Sequence, residues 1–455
     1  MNRIGKLGFL TVMILAISIA LISGGTFNTV QAAGNIYYID CSAPSNGGGS
    51  FKTPWKDLDT VNAFTFSPGD SILFNRGTTC HGQLWPKGSG VSGKPIKIGA
   101  YGSGPRPVID GDYQVDPVLQ LYNQEYWEVA DLEVTESSGK GIYIGGSGYA
   151  DLTYFRLTNL YSHHHGLHNG ENAFAIGMYK KVSVHDVIID NVVAHDAFRG
   201  IEVGGDCCNN PDIRSSDIII RNSTVYDVEN DGILVASSNN VLVEHNLAYN
   251  TGLQPEQENH TPNAIWNWDT DNALYQFNEA YQAHSPEWDG GAFDIDYFTD
   301  NSLYQYNYAH DNDAYCISVF GGNPAHITTN NVVRYNICSN NARDGSYDES
   351  RQGDIYLTNW YQGSIADTYI YNNTVYWNPA GPYYAIKVFN IFHGRDIINT
   401  NIYNNIIYSE SPKLVYVDEF TDETALDYNL YWYTGTGDPE FYWDGTTYTL
   451  SLIHI

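Results

Sequence analysis

Residues 232–246, GILVASSNNVLVEHN, contain two short apolar segments with alternating side chains and end at an asparagine. The same arrangement recurs along most of the chain, and each copy is closed by an asparagine. These residues are Asn159, Asn191, Asn222, Asn246, Asn278, Asn307, Asn336, Asn372 and Asn404. Neighbouring members lie from 24 residues (Asn222 to Asn246) to 36 residues (Asn336 to Asn372) apart, which is too short for independent domains. A repeat of this length without helical periodicity predicts an all-β solenoid of about nine or more turns, with three short parallel strands per turn around an apolar core.

The repeated asparagines suit a structural role. A tight turn between two sheets needs a left-handed residue, and Asn tolerates that conformation best after Gly. Asn side chains stacked on successive turns can also form a ladder of hydrogen bonds. We therefore assign these asparagines no chemistry.

One strand of each repeat begins with a small residue followed by an aliphatic one. Alternation sends every second side chain of such a strand inward. The inward column is Ile201, Ile233, Ile265, Phe293 and Ile355. The outward columns are Glu202, Leu234, Trp266, Asp294 and Tyr356, and then Gly204, Ala236, Trp268, Asp296 and Thr358. Two tryptophans and two aspartates are thus expected on adjacent turns of one outer face.

The charge of the chain limits its partners. There are 22 Lys+Arg against 52 Asp+Glu, a formal net charge of −30. Such a surface repels nucleic acids and anionic membranes, and it repels polyuronates unless calcium bridges them. We expect a monomer that binds a neutral or weakly acidic polysaccharide, with no nucleic-acid or membrane partner.

The N-terminal residues 1–32 predict a secretory signal peptide, and therefore an extracellular protein. Arg3 and Lys6 precede an uncharged apolar run, and Val30-Gln31-Ala32 offers small residues for cleavage. We expect an N-terminal cap with the first strands over residues 33–110, a β-helix over 111–410 and a C-terminal segment over 411–455. That segment ends without a cap-like sequence, which suggests a truncated reading frame.

A short capping helix is predicted after Pro54. Thr53 can cap it, and apolar residues recur every three positions from Trp55 to Phe64. The six cysteines of an exported chain make disulfides possible. Cys41 and Cys80 are the best pair because both flank the first strands. Cys207, Cys208, Cys316 and Cys338 stay unassigned, and buried thiols are an equal alternative for them.

Several N-terminal stretches resemble the start of a known family. They are Tyr37-Tyr38-Ile39-Asp40-Cys41, SPGDSILF at 67–74, Lys87-Gly88-Ser89-Gly90, Gly93-Lys94-Pro95-Ile96 and Gly99-Ala100-Tyr101-Gly102. The chain is similar here to right-handed parallel β-helix proteins of the pectate-lyase-like superfamily, which contains polysaccharide lyases, glycoside hydrolases and epimerases. The resemblance implies a right-handed parallel β-helix with a helical end cap. It also implies that the sheet bearing the small-aliphatic strands forms the floor of a substrate groove.

The run Trp288-Asp289-Gly290-Gly291-Ala292-Phe293-Asp294-Ile295-Asp296 is the densest acidic site on that face. Asp294 and Asp296 lie two residues apart on one strand, so their carboxyls should be roughly 6–8 Å apart. An inverting glycosidase places its two carboxyls about 6.5–9.5 Å apart. Asp269, on the neighbouring turn, could pair more closely with either and would then favour a retaining mechanism. Asp289 completes the set of catalytic candidates.

Other candidates surround this run. Trp266 and Trp268 could stack on sugar rings, and Glu202, Arg199 and Lys387 are polar groups placed near the groove by the register. His310 is expected one turn from Asp296, where it could assist protonation. Calcium is an open alternative for the acids, because carboxylates at loop ends are typical ligands. Its candidate ligands are Asp289, Asp294, Asp296, Asp311 and Asp313.

Two histidine-rich motifs favour turn roles over metal binding. His163, His164 and His165 are consecutive and cannot all face one ion from a regular strand, and His168 follows them. His310-Asp311 echoes His195-Asp196, as a turn motif would.

The sequence favours a glycoside hydrolase with paired aspartates that needs no cofactor. Signatures of polygalacturonases and alginate epimerases are missing, and Asn267-Trp268-Asp269 is only a distant echo of the former. The first alternative is a calcium-dependent polysaccharide lyase, which would need Arg199 or Lys387 as a base. The second is a β-helix that binds glycans without cleaving them.

Overall fold

The structure is a computed structural model that describes most of the chain after the predicted signal peptide. The described residues are 34–166, 171–178, 182–204, 213–253, 262–285, 289–348, 352–359, 363–391, 397–418, 421 and 423–449. The signal peptide, His168, Cys207, Cys208, Trp288 and residues 451–455 lie outside them. All statements below concern the described residues.

Three parallel sheets follow one another around each turn of the solenoid, as the sequence predicts. Sheet 1 contains Leu119–Tyr122, Ile142–Gly145, Phe174–Ile176, Ile201–Gly204, the first parts of Ile233–Glu244 and Ile265–Gln276, Phe293–Ile295, Ile317–Gly321, Gly353–Asn359, Tyr384–Phe389, Lys413–Val417 and Glu440–Trp443. Thr446–Thr449 pairs antiparallel with the last of these.

Sheet 2 follows sheet 1 along the chain, and two long strands run from one into the other. It contains Ile36–Ile39, Ser71–Asn75, Ile96–Tyr101, Trp127–Ala130, Ala150–Thr158, Val182–Asp190, Ser215–Arg221, the second parts of Ile233–Glu244 and Ile265–Gln276, Leu303–Gln305, Val332–Arg334, Tyr369–Tyr371, Asn401–Tyr403 and Ala425–Asp427.

Sheet 3 has 13 strands and leads back to sheet 1. It contains Thr79–His81, Val108–Asp110, Glu133–Ser137, Tyr161–His165, Val193–Ala197, Thr224–Val228, Leu247–Thr251, Glu279–Ala283, Tyr308–His310, Ile337–Ser339, Thr374–Trp377, Ile406–Ser409 and Leu430–Tyr433. A small additional sheet joins Ile327–Thr329, Ser364–Ala366 and Ile397–Ile398.

The core is the stack of inward side chains from all three sheets. Ile201, Ile233, Ile265 and Phe293 lie on successive turns of sheet 1 and are fully buried. β-Branched and aromatic residues suit such strands because they pack well on a pleated, buried surface. Each buried aliphatic side chain contributes about 1.5–3 kcal/mol of hydrophobic stabilisation.

The register of sheet 1 confirms the predicted columns with one correction. Trp266 pairs with Asp294, but Asp294 then pairs with Ser318, and only Ser318 pairs with Tyr356. The sequence analysis missed the strand Ile317–Gly321, although its Cys-Ile-Ser-Val start fits the small-aliphatic pattern. The outward face therefore holds one more turn between the aspartates and Tyr356 than predicted.

The asparagines occupy two adjacent columns and not one. Asn159, Asn191, Asn222, Asn372 and Asn404 have positive φ at the turn between sheets 2 and 3. The ladder belongs to the following position, where each Nδ2 donates to the next Oδ1 at 2.9–3.1 Å. Its members are Asn246, Asn278, Asn307, Asn336, Asn373, Asn405 and Asn429. Both predicted roles exist, but different residues perform them.

The N-terminal helix is shorter than predicted. It spans Leu58–Ala63 and is capped by Asp57, whose carboxylate accepts from the backbone N–H of Thr60 at 2.8 Å. Asp57 competes better than Thr53 for this position because it reaches the free N–H groups of the first turn. No helix in the described part of the chain is long and apolar enough to span a membrane.

Two disulfides lie in the described residues. Cys41 and Cys80, the expected pair, are bonded, with Cα atoms 5.3 Å apart. Cys316 and Cys338, which the sequence left unassigned, form the second bond and connect sheet 1 to sheet 3.

A buried acid beside the second disulfide predicts a pH-dependent stability. The Asp354 side chain is fully buried, and burial raises its pKa to about 7. Hydrogen bonds from the Asn341 side chain and the Cys316 N–H lower the pKa, but by less than burial raises it. Because the unfolded chain ionises near pH 4, the folded state loses stability as pH rises from about 4 to 7, by up to about 4 kcal/mol. Denaturant unfolding of Asp354→Asn at pH 4 and pH 8 should show most of this loss removed. An equal loss in the variant and the parent protein would contradict the assignment.

Candidate active site

The acidic run predicted as the catalytic site lies on the outer face of sheet 1. Phe293 and Ile295 point into the core and are fully buried, so Asp294 between them points outward. Asp294 lies beside Trp266 on the preceding turn and Ser318 on the following one. Asp296 follows the strand, and Asp289 precedes it in the turn from sheet 3.

Asp294 is held firmly by its neighbours. Ser318 Oγ donates to its Oδ1 at 2.6 Å, and Asn263 Nδ2 donates to its Oδ2 at 3.3 Å. The side chain is only 1% exposed. Both oxygens are thus engaged, and Asp294 has little room to touch a ligand.

Asp296 and Asp289 are half-buried. The backbone N–H of Tyr297 donates to Asp296 Oδ1 at 2.7 Å. Burial, and to a lesser degree the charge of Asp289, raises the pKa of Asp296 well above its ordinary value, against the Tyr297 hydrogen bond. Burial also raises the pKa of Asp289 to about 7, helped by the charge of Asp231 and opposed by a side-chain hydrogen bond between Asp289 and Tyr315.

The three acids act as one electrostatic cluster. Burial raises the pKa of Asp294 strongly, and the charges of Asp296 and Asp289 add to that effect. Closely spaced carboxylates in a low-dielectric site cannot all ionise, so one of them keeps a proton near neutral pH. The site therefore combines an acid with a carboxylate, which is the pairing that glycosidic hydrolysis needs.

A second column supports the cluster from the turn into sheet 1. Arg199, Asp231, Asn263, Gly291 and Tyr315 each lie two residues before a strand of this sheet. Tyr315 donates to Asn263 Oδ1 at 2.9 Å, and the N–H of Gly291 donates to the same oxygen at 3.0 Å. Gly291 makes this possible, because a Cβ there would lie 2.0 Å from the Tyr315 ring.

Trp266 and Trp268, the two predicted sugar-stacking residues, differ in exposure. Trp266 is buried, and its indole N–H donates to Asp231 Oδ1 at 2.9 Å. Trp268 is half-buried and meets the Tyr297 ring edge-on at 5.5 Å. Within the described residues its indole N–H has no hydrogen-bond partner.

The predicted polar residues Arg199 and Glu202 belong to a fixed ion network. Arg199 Nε donates to Asp231 Oδ2 at 2.6 Å, and its Nη1 donates to Glu202 Oε2 at 3.0 Å. Asn172 donates to the same Glu202 oxygen at 2.7 Å. The two carboxylates raise the pKa of Arg199 against its burial, so this guanidinium stays charged. Arg199 reaches the acidic cluster only through Asp231.

Asp269 does not pair with Asp294 or Asp296, contrary to the sequence-based expectation. It forms an ion pair with Arg214 and accepts from Ser237 Oγ at 2.9 Å. Its backbone has a φ of 50°, which takes the side chain out of the regular strand alternation. This corner between sheets 1 and 2 could not be located from the repeat alone.

His310 and Lys387 also lie elsewhere than expected. His310 is on sheet 3, where it stacks on Tyr281 at 4.7 Å, and not one turn from Asp296. Lys387 does point outward from sheet 1, but Ser318 and Tyr356 separate it from Asp294 in the column. It packs over aromatic rings at 5.1 and 5.3 Å.

The acids proposed for calcium have separate partners. Asp311 lies 2.8 Å from His310 Nδ1, and Asp313 lies 3.0 Å from His284 Nδ1. Among the described residues, Asp289, Asp311 and Asp313 do not form one cluster of candidate ligands. Their positions give no support to a shared calcium site.

Residues that sequence reasoning missed complete the site. Ser318, Asn263 and Tyr315 contact the acids, yet none was a candidate. Ser318 was not predicted because its strand was not predicted. The repeat could have located that strand, since Ile317 follows Phe293 by 24 residues and the repeated asparagines are also as little as 24 residues apart. Asn263 and Tyr315 lie in turns, where the strand alternation gives no direction.

Comparisons with known proteins agree with this architecture. The chain is 25% identical to a lacto-N-biosidase of Bifidobacterium longum subsp. longum in an alignment of 465 positions that covers 76% of this chain and 28% of that protein. The crystal structure of a GH136 lacto-N-biosidase from Eubacterium ramulus superposes with a TM-score of 0.54 and 19% identity, covering 88% of this chain and 68% of that one. The chain has a right-handed parallel β-helix fold.

A more distant structural similarity is to a polysaccharide lyase. Pectate lyase Pel9A superposes with a TM-score of 0.44 and 16% identity, over 75% of this chain and 78% of that one. No family model matches the sequence. The chain spans only 28% of the length of its Bifidobacterium relative.

Proposed function

We propose that this protein is an extracellular glycoside hydrolase that cleaves a neutral glycan with the carboxyl cluster of sheet 1. The observation that carries the proposal is the grouping of Asp289, Asp294 and Asp296 around one strand of the outward face, where burial raises the pKa of all three. A protonated acid next to a carboxylate is costly to maintain and is typical of catalytic sites.

The geometry divides the work between the three acids. Asp289 and Asp296 are half-buried and are the two that a sugar can reach. One donates a proton to the leaving oxygen, and the other acts as base or nucleophile at the anomeric carbon. Asp294 is a positioning residue, because Ser318 and Asn263 occupy both of its oxygens.

The charges around the site favour hydrolysis over elimination. A lyase needs a base to remove the proton next to a uronate and a cation to neutralise that uronate. Arg199 stays charged between Asp231 and Glu202, so it is a poor base. A formal charge of −30 also repels a polyuronate.

Similarity to lacto-N-biosidases supports the same class of reaction and suggests the first substrates. We propose a lacto-N-bioside as the glycan to test first, with other neutral oligosaccharides next. Export from the cell is part of the proposal and is supported by the signal-like sequence of residues 1–32 and by two disulfides.

The two tryptophans should separate sugar binding from stability. Replacing the half-buried Trp268 with Ala should weaken glycan binding by about 1–3 kcal/mol, because a large ring that faces the groove is lost. Replacing the buried Trp266 with Ala should lower the free energy of unfolding by about 3–5 kcal/mol, since it leaves a cavity and removes one of the hydrogen bonds to Asp231. Calorimetric titration and denaturant unfolding of both variants measure this. Equal stability losses in both variants, with unchanged affinity for Trp268→Ala, would refute the assignment.

A substrate screen tests the function. The purified protein is incubated with lacto-N-biosides, other neutral glycans and polyuronates, with and without a calcium chelator, and reducing ends and ultraviolet absorbance are followed. We expect reducing ends from a neutral glycan, no ultraviolet-absorbing product, and activity that survives the chelator. An unsaturated product that requires calcium would establish the lyase, and binding without new reducing ends would establish a non-catalytic role. Either result overturns the proposal.

A further inference from the structure

A group of histidines and acids lies on sheet 3, away from the carboxyl cluster. His163 pairs directly with His195 on the next turn, and their rings stack at 4.9 Å. His164 and Asp196, the residues that follow them, both have positive φ, at 58° and 47°. The left-handed conformation turns His164 out of the strand alternation, which removes the objection that consecutive histidines cannot share an ion.

The candidate ligand atoms converge. Asp196 Oδ2 lies 2.6 Å from His195 Nδ1 and 3.7 Å from His164 Nε2. One nitrogen from each histidine and one Asp196 oxygen lie within 4.8 Å of one another. Ligands bound to a metal at about 2.0–2.2 Å are separated by roughly 3–3.5 Å, and the measured spacings bracket that value.

One tautomer of the two rings leaves a lone pair of His164 available to a metal ion. His163 Nε2 lies 3.3 Å from Glu133 Oε1, and in this tautomer it donates to the carboxylate. His163 Nδ1, which also lies 3.2 Å from Thr135 Oγ1, then accepts from His164 Nδ1 at 2.6 Å. His164 Nε2 is left with a lone pair that faces Asp196, and a bound cation would offset the repulsion between these two acceptors.

His195 has an equivalent outer partner. Its Nε2 lies 2.7 Å from the hydroxyl oxygen of Tyr161. When Nε2 donates to Tyr161, Nδ1 presents its lone pair beside Asp196. Metal-bound histidines almost always donate their second N–H in this way, which fixes the ring and its tautomer.

The same turn column shows what the purely structural arrangement looks like. On later turns Asn250 donates directly to Asp227, and Asn340 donates directly to Asp311. On these turns a single hydrogen bond from the Asn side chain to the Asp carboxylate links the two neighbouring residues of the column. His164 and Asp196 instead stay 3.7 Å apart, and a second imidazole from His195 enters the gap.

We propose that His164, His195 and Asp196 bind a divalent transition-metal ion, with Zn²⁺ as the representative ion. Two imidazoles and one carboxylate are a usual donor set for such ions, and water would complete the coordination. His164 and Asp196 side chains are 45% and 39% exposed, so an ion can enter from solution. The site is independent of the carboxyl cluster, which lies on sheet 1.

Metal binding by the whole secreted chain, without an affinity tag, tests the proposal. Zn²⁺ is titrated by calorimetry, and Co²⁺ is followed by its visible absorption, which reports on the ligands. We expect a site of one ion per chain. His164→Ala and Asp196→Asn should each weaken Zn²⁺ binding by about 100-fold or more, because each removes a ligand. His163→Gln, which alters a hydrogen-bond partner of the ligand His164, should weaken it by about 10-fold. Circular dichroism confirms that each variant is folded.

Two matched variants serve as controls. Asn250→Ala alters the same turn column without a metal ligand, and His81→Ala removes a residue of a separate group formed with Asp110 and Asp112. Both should keep the Zn²⁺ affinity and Co²⁺ spectrum of this site. The proposal is overturned if the parent chain binds no Zn²⁺, or if folded His164→Ala and Asp196→Asn bind it as tightly as the parent.

Discussion

Asp296→Asn and Asp289→Asn should each reduce turnover of a cleaved glycan by about 10²–10⁴-fold, and by more for the residue that acts as nucleophile. Asparagine keeps the shape of the side chain but can neither ionise nor donate an acidic proton. Because the pKa of both aspartates is raised by burial, neutralising either should cost no stability near neutral pH. Initial rates at saturating substrate, together with melting temperatures, check this prediction.

Two further substitutions calibrate that result. Asp294→Asn should have a smaller effect on turnover, since Ser318 and Asn263 engage both of its oxygens and leave it little room to touch the substrate. Asp311→Asn, in the turn after sheet 3, should leave the rate unchanged. If Asp289→Asn and Asp296→Asn both retain near-normal rates, the cluster is not the catalytic site.

The pH profile should reveal the acid. A group with a pKa of about 7, as at Asp289, is protonated below that value and loses its proton above it. Activity should therefore decline as pH rises through about 7, and Asp289→Asn should abolish that limb if Asp289 is the proton donor. A profile that is flat across neutral pH in the parent protein argues against this role.

Asn307→Ala should lower the free energy of unfolding by about 3–5 kcal/mol. The Asn307 amide accepts from the N–H and Nδ2 of Asn278 and donates to Tyr275 O and to Asn336 Oδ1. Truncation leaves several buried polar groups without partners, and each costs about 1–3 kcal/mol, partly relieved by relaxation. Denaturant unfolding of the variant measures the loss.

The adjacent residue provides the control. Tyr306 is 45% exposed and has a φ of 57°. Tyr306→Asn should change stability by no more than about 1 kcal/mol, because Asn suits the left-handed conformation and offsets the lost ring stacking. A large loss for Tyr306→Asn with little loss for Asn307→Ala would show that the ladder is not what stabilises the turns.

The period of the sequence was enough to predict the three sheets and the inward column of sheet 1. Alternation over short apolar strands has a fixed period of two, so Ile265 and Phe293 could be placed inward and Trp266 and Asp294 outward without coordinates. The acidic strand was placed on the outer face of sheet 1 for the same reason. The repeated asparagines were predicted as one column, but the turn residue and the ladder residue occupy adjacent positions. Several turns have His, Phe or Tyr in the left-handed position, as at Tyr306, so the asparagine of those repeats is the ladder residue.

Contacts that begin in turns could not be predicted. The direction of Asn263, Tyr315 and His164 depends on backbone angles that no periodicity encodes. Asp269 was placed beside the wrong partner because its left-handed backbone turns it towards Arg214. His310 was placed on the wrong face because the turn lengths between sheets vary from repeat to repeat.

Hydrolysis in water enriched in heavy oxygen (¹⁸O) tests the central claim most directly. The purified chain cleaves a neutral glycan, and mass spectrometry of the product locates the label. The account predicts one heavy oxygen atom at the newly formed reducing end, and none after cleavage is abolished by Asp289→Asn or Asp296→Asn. An unlabelled, unsaturated product, or a labelled product that both variants form at the parent rate, would contradict it.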